Sequence, residues 1–408
     1  MPLHSYHMEH TDTLSQIALI LAIAFAGEVV LRRLRQPALV GYILAGIIMG
    51  PSVLGVIHNG EQVSFLAELG IMLLLFIVGL ELDLAKFAKI SRIAVITTAF
   101  QIIASLCVVG GIGWMLNWPL ARILVLGFAI SLSSTAVAIR VLEGMGGINT
   151  RRGQAAVGIL VAQDLAFIPM LLLIGAFSAE GFDQWGLAKV GLAVMFLIFA
   201  MRVLSRRSAA DLIPSWIKAQ FKGGNDQTLV LKALTVCFAG AALSGVLGLS
   251  ASYGAFVAGL LIGSTPHSHK YEDRARPLFD ILMMVFFLSV GLLIDLRYLV
   301  DNWGSILLML LVVMILKTFV NIAVLRRMGM SRRHALHVGT ALAQIGEFSF
   351  VLAALGLSTG AIQDDGHKFV VTLIALSLIF TPVWLHAARR TILLRRWWRH
   401  RHLSKKVT

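Results

Sequence analysis

This sequence predicts an all-α polytopic membrane protein of about thirteen transmembrane helices, and three observations predict it. Apolar stretches long enough to cross a bilayer follow one another almost end to end. Basic residues fall in every second connection between them. Two short strings recur, in the same order, in the two halves of the chain.

Of the 408 residues, 58% are hydrophobic and only 14% charged, more apolar than a water-soluble chain of this length needs for its core. The formal net charge of +14 is spread over short loops instead of lining one face, which argues against nucleic acid as a partner and for a lipid bilayer. Cys107 and Cys237 both lie in apolar runs, so neither a disulfide framework nor a Cys-based metal site is indicated, and no cofactor is expected. Met1 to Thr13 contain no Lys or Arg and so lack the positive start of a cleaved signal peptide. The first span is therefore expected to be retained.

In order, the spans are expected at Leu14–Leu31, Val40–Val56, Leu66–Leu84, Ile93–Met115, Ile123–Leu142, Gly153–Phe177, Leu187–Leu204, Leu229–Leu247, Ala251–Ile262, Leu278–Ile294, Ile306–Leu325, Leu336–Leu357 and Phe369–His386. One set of connections holds Arg32, Arg33 and Arg35, then Lys86, Lys89 and Arg92, then Arg151 and Arg152, and so on to the tail from Arg389 to Lys406. The alternate set holds Glu61, Arg122, Glu180 and Asp183, Asp295 with Arg297 and Asp301, and Asp364, Asp365 and Lys368. The positive-inside rule then places the N-terminus outside and the C-terminus in the cytoplasm of a cell inner (plasma) membrane. Ile213–Phe221, with Trp216 and Lys218, reads as a short surface helix, and the tail with Trp397 and Trp398 as an interfacial anchor.

The repeated strings are Ala45-Gly-Ile-Ile-Met-Gly50, echoed by Ala258-Gly-Leu-Leu-Ile-Gly263, and Val78-Gly-Leu-Glu-Leu-Asp-Leu84, echoed by Val290-Gly-Leu-Leu-Ile-Asp-Leu296. Seven spans separate each string from its echo, so the echo crosses the membrane in the opposite sense. An inverted repeat of this kind is a hallmark of secondary transporters.

A charge near the bilayer centre costs about 2.5–3.5 kcal/mol even on the lenient insertion scale, so each one needs a partner or a task. Asp164, Lys317 and Glu347 all lie near mid-span. They form either a buried structural ion-pair network or part of an ion pathway. Gln163 beside Asp164 offers a neutral carbonyl oxygen, and Pro169 cannot donate to the carbonyl of Leu165, so the local chemistry suits a monovalent cation. The fifth span holds Ser131-Leu-Ser-Ser-Thr135, and about 212 residues on, the matching place reads Ala343-Gln-Ile-Gly-Glu347. Ser131 and Ser133 taken alone are as well explained by hydroxyls bonding back to the preceding turn. Polar runs at the same depth in both halves, including Ser134, Thr135, Gln344 and Gly346, are instead where a transporter breaks two helices to expose backbone groups and dipole ends.

In these stretches the sequence resembles the monovalent cation:proton antiporter-2 family, and within it the Kef-type potassium/proton antiporters. The resemblance is carried by Gln36-Pro to Gly50-Pro51, Glu68-Leu-Gly to Glu81-Leu-Asp83, Ser131-Leu-Ser-Ser-Thr-Ala136, Gln163-Asp-Leu-Ala-Phe-Ile-Pro169, Phe286-Phe-Leu-Ser-Val-Gly291 and Gly346-Glu-Phe348. It implies a sodium/proton-antiporter-like fold with two inverted six-helix repeats. Residues 1–204 would hold the first repeat plus a linker helix seven, 205–228 a cytoplasmic linker, 229–388 the second repeat, and 389–408 a basic cytoplasmic tail. It implies a core of helices four to six and eleven to thirteen, in which helices five and twelve are broken and cross. Helices one to three and eight to ten would form the dimerisation side of a homodimer.

By the same resemblance Asp164 would carry the cation or the proton, with Gln163, Thr135 and Ser134 around it, while Lys317 and Glu347 supply supporting charges. Ser131, Ser133, Gln344 and Gly346 would lie at the helix crossing. The expected substrates are potassium, or else sodium, and the proton, exchanged electroneutrally by an elevator-like movement. No G-x-G-x-x-G follows a predicted strand, so no nucleotide-binding regulatory domain is expected in this chain, and the connection Gly263 to Pro277 departs from the acidic regulatory loop of the Kef group. A channel-like potassium efflux pathway is the alternative. A membrane enzyme is disfavoured, because no nucleophile–base or metal-ligand spacing is present.

Overall fold

The structure, a computed structural model, describes residues 21–31, 38–55, 60–81, 92–144, 150–175, 177–178, 181–182, 226–246, 251–263 and 268–404, with isolated positions at 19, 33, 191 and 195. The seventh span at Leu187–Leu204, apart from two of those positions, and the surface helix at Ile213–Phe221 lie outside the described residues. The chain divides into two compact units, each drawn from both halves of the sequence: Met1–Lys89 with Leu171–Val300, and Ile90–Met170 with Asp301–Thr408.

The first unit contains α1 (Leu21–Leu31), α2 (Ala38–Met49), α3 (Gly60–Glu81), α8 (Asp226–Val246), α9 (Ala251–Gly263) and α10 (Ser268–Leu292). In a bilayer the lipid offers no hydrophobic drive for helices to associate, so close approach of backbones at small residues does the work. The repeated strings supply those residues. A Cβ on Gly46 of α2 would collide with the backbone of Leu288 and Gly291 on α10, and a Cβ on Gly259 of α9 would collide with the backbone of Phe76 and Leu80 on α3. These two contacts are the same contact, repeated about 212 residues along. A third and a fourth match them. Gly27 of α1 stands against Gly41 of α2, and Gly240 of α8 against Gly254 of α9. Apolar side chains fill the rest, with Phe76, Ala233, Cys237, Ala255 and Ala258 buried in one cluster.

The second unit contains α4 (Arg92–Met115), α5 (Leu120–Ser131), α6 (Thr135–Gly144), most of α7 (Arg151–Gly175), α12 (Trp303–Arg327), α13 (Arg332–Ala341), α14 (Phe348–Ser358) and α15 (Asp364–Ser404). A two-residue strand pair, β1 (Phe177–Ser178) with β2 (Gly181–Phe182), follows α7, and the one-and-a-half-turn α11 (Leu296–Asp301) precedes α12. Among the described residues five helices are long and apolar enough to cross a membrane: α4, α7, α8, α12 and the Asp364–Ala388 part of α15. Others are half-length. The 12 residues of α5 rise about 18 Å, little more than half of a hydrocarbon core roughly 30 Å thick.

The fifth span is therefore two helices, α5 and α6, and the twelfth is likewise α13 and α14. The first pair parts at Leu132, whose backbone is extended (φ −78°, ψ 146°), in a run of hydroxyl residues that compete for backbone hydrogen bonds. The two breaks meet: Gly346 N–H donates to Leu132 O at 3.1 Å, and the Ser133 hydroxyl donates to Leu342 O at 2.8 Å. Only glycine fits at 346, because a Cβ there would lie 2.8 Å from the carbonyl of Ser133.

One expectation is corrected. The connection read as running from Gly263 to Pro277 is helical from Ser268, with Pro277 inside α10. Extending a helix is a ready way for backbone near the membrane surface to satisfy its own hydrogen bonds, and the charged residues of this segment are compatible with it. The last span, expected at Phe369–His386, falls within the apolar Asp364–Ala388 part of α15, whose helix runs on to Ser404.

Candidate ion site at the helix crossing

Asp164 lies on α7, half-buried, with the Thr135 hydroxyl directed at its Oδ2 from 3.5 Å, the long end of hydrogen-bond distance. Thr135 is the first residue of α6, so the carboxylate stands at the positive end of that helix's dipole. The neighbouring Gln163 is buried and its Oε1 accepts the backbone N–H of Ser133 at 3.0 Å, in the gap between α5 and α6. The second break is capped in the same way from its own third helix. Ser377 of α15 accepts the N–H of Ile345 at 3.1 Å, and Ile345 is the repeat partner of Ser133.

The remaining polar residues expected here fall into place around the crossing. Ser134 is buried, its hydroxyl accepting the Val137 N–H at 3.4 Å and its carbonyl the Gln344 side-chain amide at 3.3 Å. Gln344 Oε1 has no hydrogen-bond partner among the described residues. Glu347 is half-buried at the position just before α14. Ser131 takes the local option and bonds back to Phe128 O at 2.7 Å, whereas Ser133 bonds across to the other break.

Lys317 is buried on α12, and its ammonium donates to Leu132 O and to Gln344 O, the latter at 2.9 Å. These carbonyls are repeat partners, one at the C-terminal end of α5 and the other just past the end of α13. Two half-helices that end at the crossing would bring two negative dipole ends together, and a single cation between them offsets both. Phe167 stacks on Phe348 with ring centroids 5.2 Å apart, joining the helix of Asp164 to α14.

The structure adds residues that the sequence reading passed over. Gln101 on α4 is buried and accepts from the Gln163 side chain, Asn321 on α12 is buried and accepts from Gln101, Ser377 caps the second break, and the Ser349 hydroxyl donates to Ala129 O at 2.6 Å. A signal for Gln101 exists in the sequence. Thr97, Thr98, Gln101 and Ser105 recur at helical spacing on what is the buried face of α4.

Two interleaved helix-break units meeting at buried backbone groups, with Asp164 beside the first and Glu347 at the second, define the architecture of a membrane-embedded secondary transporter. Residues 17–388 match the family model of the transmembrane sodium/hydrogen exchangers, and the chain belongs to that family. The Kef-type resemblance read from its motifs stands with it. A protein of Paramagnetospirillum magneticum named iron transporter MagA is 39% identical over 381 residues, covering 93% of this chain and 87% of that one. The K(+) efflux antiporter 5 of Arabidopsis thaliana is 29% identical over 372 residues, covering 91% of this chain but 65% of the plant protein, so the chain spans about two thirds of that relative. The solved structure of the sodium proton antiporter MjNhaP1 of Methanocaldococcus jannaschii superposes with a TM-score of 0.67 over 92% of this chain and 98% of that one, at 17% identity.

Proposed function

We infer that the protein is a monovalent cation/proton antiporter that exchanges potassium for protons one for one. Asp164 carries the reading: it is a half-buried carboxylate faced by a hydroxyl from the first residue after a helix break. It binds either a cation or a proton, and that competition couples the two fluxes. Ser134, Thr135 and Gln163 shape the surroundings of the acid, and Lys317 holds the crossing. The division into two compact units supports an elevator-like movement, and the Kef-type resemblance implies a homodimer, placed here in the inner (plasma) membrane.

Donor chemistry favours a monovalent ion. One carboxylate with hydroxyl, amide and backbone oxygens suits potassium or sodium, while iron calls for imidazole, thiolate or several carboxylates. No group of three or more His, Cys, Asp or Glu stands together among the described residues. The choice of potassium over sodium leans on the plant relative.

Purified protein in proteoliposomes with an imposed pH gradient tests the assignment. Addition of potassium is expected to collapse the gradient in the wild type, and Asp164→Asn is expected to abolish that response while leaving a folded protein. The amide keeps the volume and loses the exchangeable proton. Retained cation-dependent collapse in Asp164→Asn rejects Asp164 as carrier, and a response that needs a protonophore indicates a channel. Repeating the assay with lithium, sodium, rubidium and iron(II) ranks the cations.

A further inference from the structure

Three side-chain amides on three helices of the second unit form one buried hydrogen-bonded chain: Gln163 on α7, Gln101 on α4 and Asn321 on α12. One group fixes the direction of every bond in it. The backbone N–H of Ser133 can only donate, so the Gln163 atom that faces it at 3.0 Å must be the oxygen. Gln163 Nε2 must then donate, and it does so to Ser131 O at 3.3 Å and to Gln101 Oε1 at 2.5 Å. Gln101 has thereby committed its oxygen, and its Nε2 donates to Asn321 Oδ1. Asn321 Nδ2 ends the chain without a hydrogen-bond partner among the described residues.

A buried donor left in that state lowers stability, and apolar residues at 101 and 321 would avoid the loss. Stability therefore does not account for the chain. Its effect is directional. Turning the three amides over would set Gln163 Nε2 against the Ser133 N–H, donor against donor. With Gln101 in place, Gln163 is held in the one orientation that caps the first break.

We propose that Gln101 is a positioning residue for transport: by holding the Gln163 amide onto Ser133 N–H it fixes residues 132–134 and so the placement of Thr135 against Asp164. The inference rests on the function proposed above, and it concerns a residue two hydrogen bonds removed from the Ser133 backbone. Without Gln101, the Gln163 amide loses an acceptor and turns more freely. The Ser133 N–H is then left uncapped part of the time.

The test pairs Gln101→Met, which keeps the unbranched shape and removes the amide, with Gln101→Glu. When protonated, the carboxyl group introduced by Gln101→Glu accepts from Gln163 and donates to Asn321, as the amide does. In reconstituted full-length protein, Gln101→Met is expected to raise the apparent cation constant about tenfold, the size usual for a group that orients a ligand, with a smaller change in maximal rate and a displaced pH profile. Amide hydrogen exchange in the peptide spanning 129–137 is expected to quicken. Gln101→Glu is expected to recover both, at least at low pH where it is protonated. The double variant with Gln163→Met is expected to be no worse than Gln163→Met alone, since Gln101 acts through Gln163.

A wild type that exchanges no cation for protons refutes the underlying function. A wild type that exchanges, with a Gln101→Met variant unchanged in cation constant, pH profile and hydrogen exchange, refutes the inference alone. Full additivity in the double variant also refutes it. Should Gln101→Met not be recovered folded, Gln101→Asn carries the comparison, because its shorter amide cannot reach both neighbours; an unchanged Gln101→Asn overturns the proposal.

Discussion

At Lys317 the chemistry of a single side chain decides how two half-helices end. Its ammonium donates to Leu132 O and Gln344 O, and Leu132 O also accepts the Gly346 N–H. Removing the ammonium leaves Leu132 O with a donor and takes one from Gln344 O, at a cost of about 1–3 kcal/mol for a buried acceptor stranded in this way, besides the lost dipole compensation. Lys317→Ala is therefore expected to melt at a lower temperature than Asp164→Asn, which keeps a side-chain oxygen as acceptor in the same place. Equal melting temperatures in the same detergent count against this role. Competition at Asp164 makes a second prediction. On the proposed reading protons and cations exclude one another there, so the apparent cation constant should fall as pH rises. A pH-independent constant contradicts the shared site. Asp164 and Lys317 were legible in the sequence because a charge in an apolar span is conspicuous. Asn321 was not, because an uncharged amide in a span is compatible with mere packing until its bonding partners are seen, and Gln101 showed only as one of four polar residues at helical spacing on α4.

Among elements, the repeat is the clearest link from sequence to packing. The two strings that recur in order are the strings that touch, Gly46 with Gly291 and Gly79 with Gly259, because an inverted repeat places each element of one half against its counterpart's neighbour in the other. Bulk at either contact must separate the helices. Gly291→Leu and Gly79→Leu are expected to lower thermal stability markedly and to a similar degree, whereas Gly111→Ala, with nothing within 4 Å of the added Cβ, should melt as the wild type does. Thermal unfolding of the three variants checks this, and an unchanged Gly291→Leu contradicts the packing. The breaks were legible as polar runs at matched depth, yet their edges were not. A half-helix ends where its last carbonyl finds a partner on another segment, as Leu132 O does on Gly346 and Lys317, and that partner lies about 200 residues away in sequence.

For the whole molecule, apolar runs and basic loops disclosed a helical chain that crosses a membrane many times, but not by themselves which spans belong together. Each compact unit takes its helices from both halves of the chain, an interleaving that the family resemblance implied but that hydropathy and charge alone do not carry. The alternation of basic residues still predicts orientation: a protease site fused after Thr408 is expected to resist external protease in intact cells and to be cut in inverted vesicles. Cleavage in intact cells contradicts that orientation. The central claim is that Asp164 is loaded in turn by one proton or one monovalent cation, so that the loaded site carries the same charge in both directions. The most direct measurement records proton flux and current together, on wild-type proteoliposomes adsorbed to a solid-supported membrane, under a potassium gradient without ionophore. Potassium-driven proton flux with no sustained current is the predicted result; a sustained current matching the proton flux, or potassium movement with no proton flux, contradicts it.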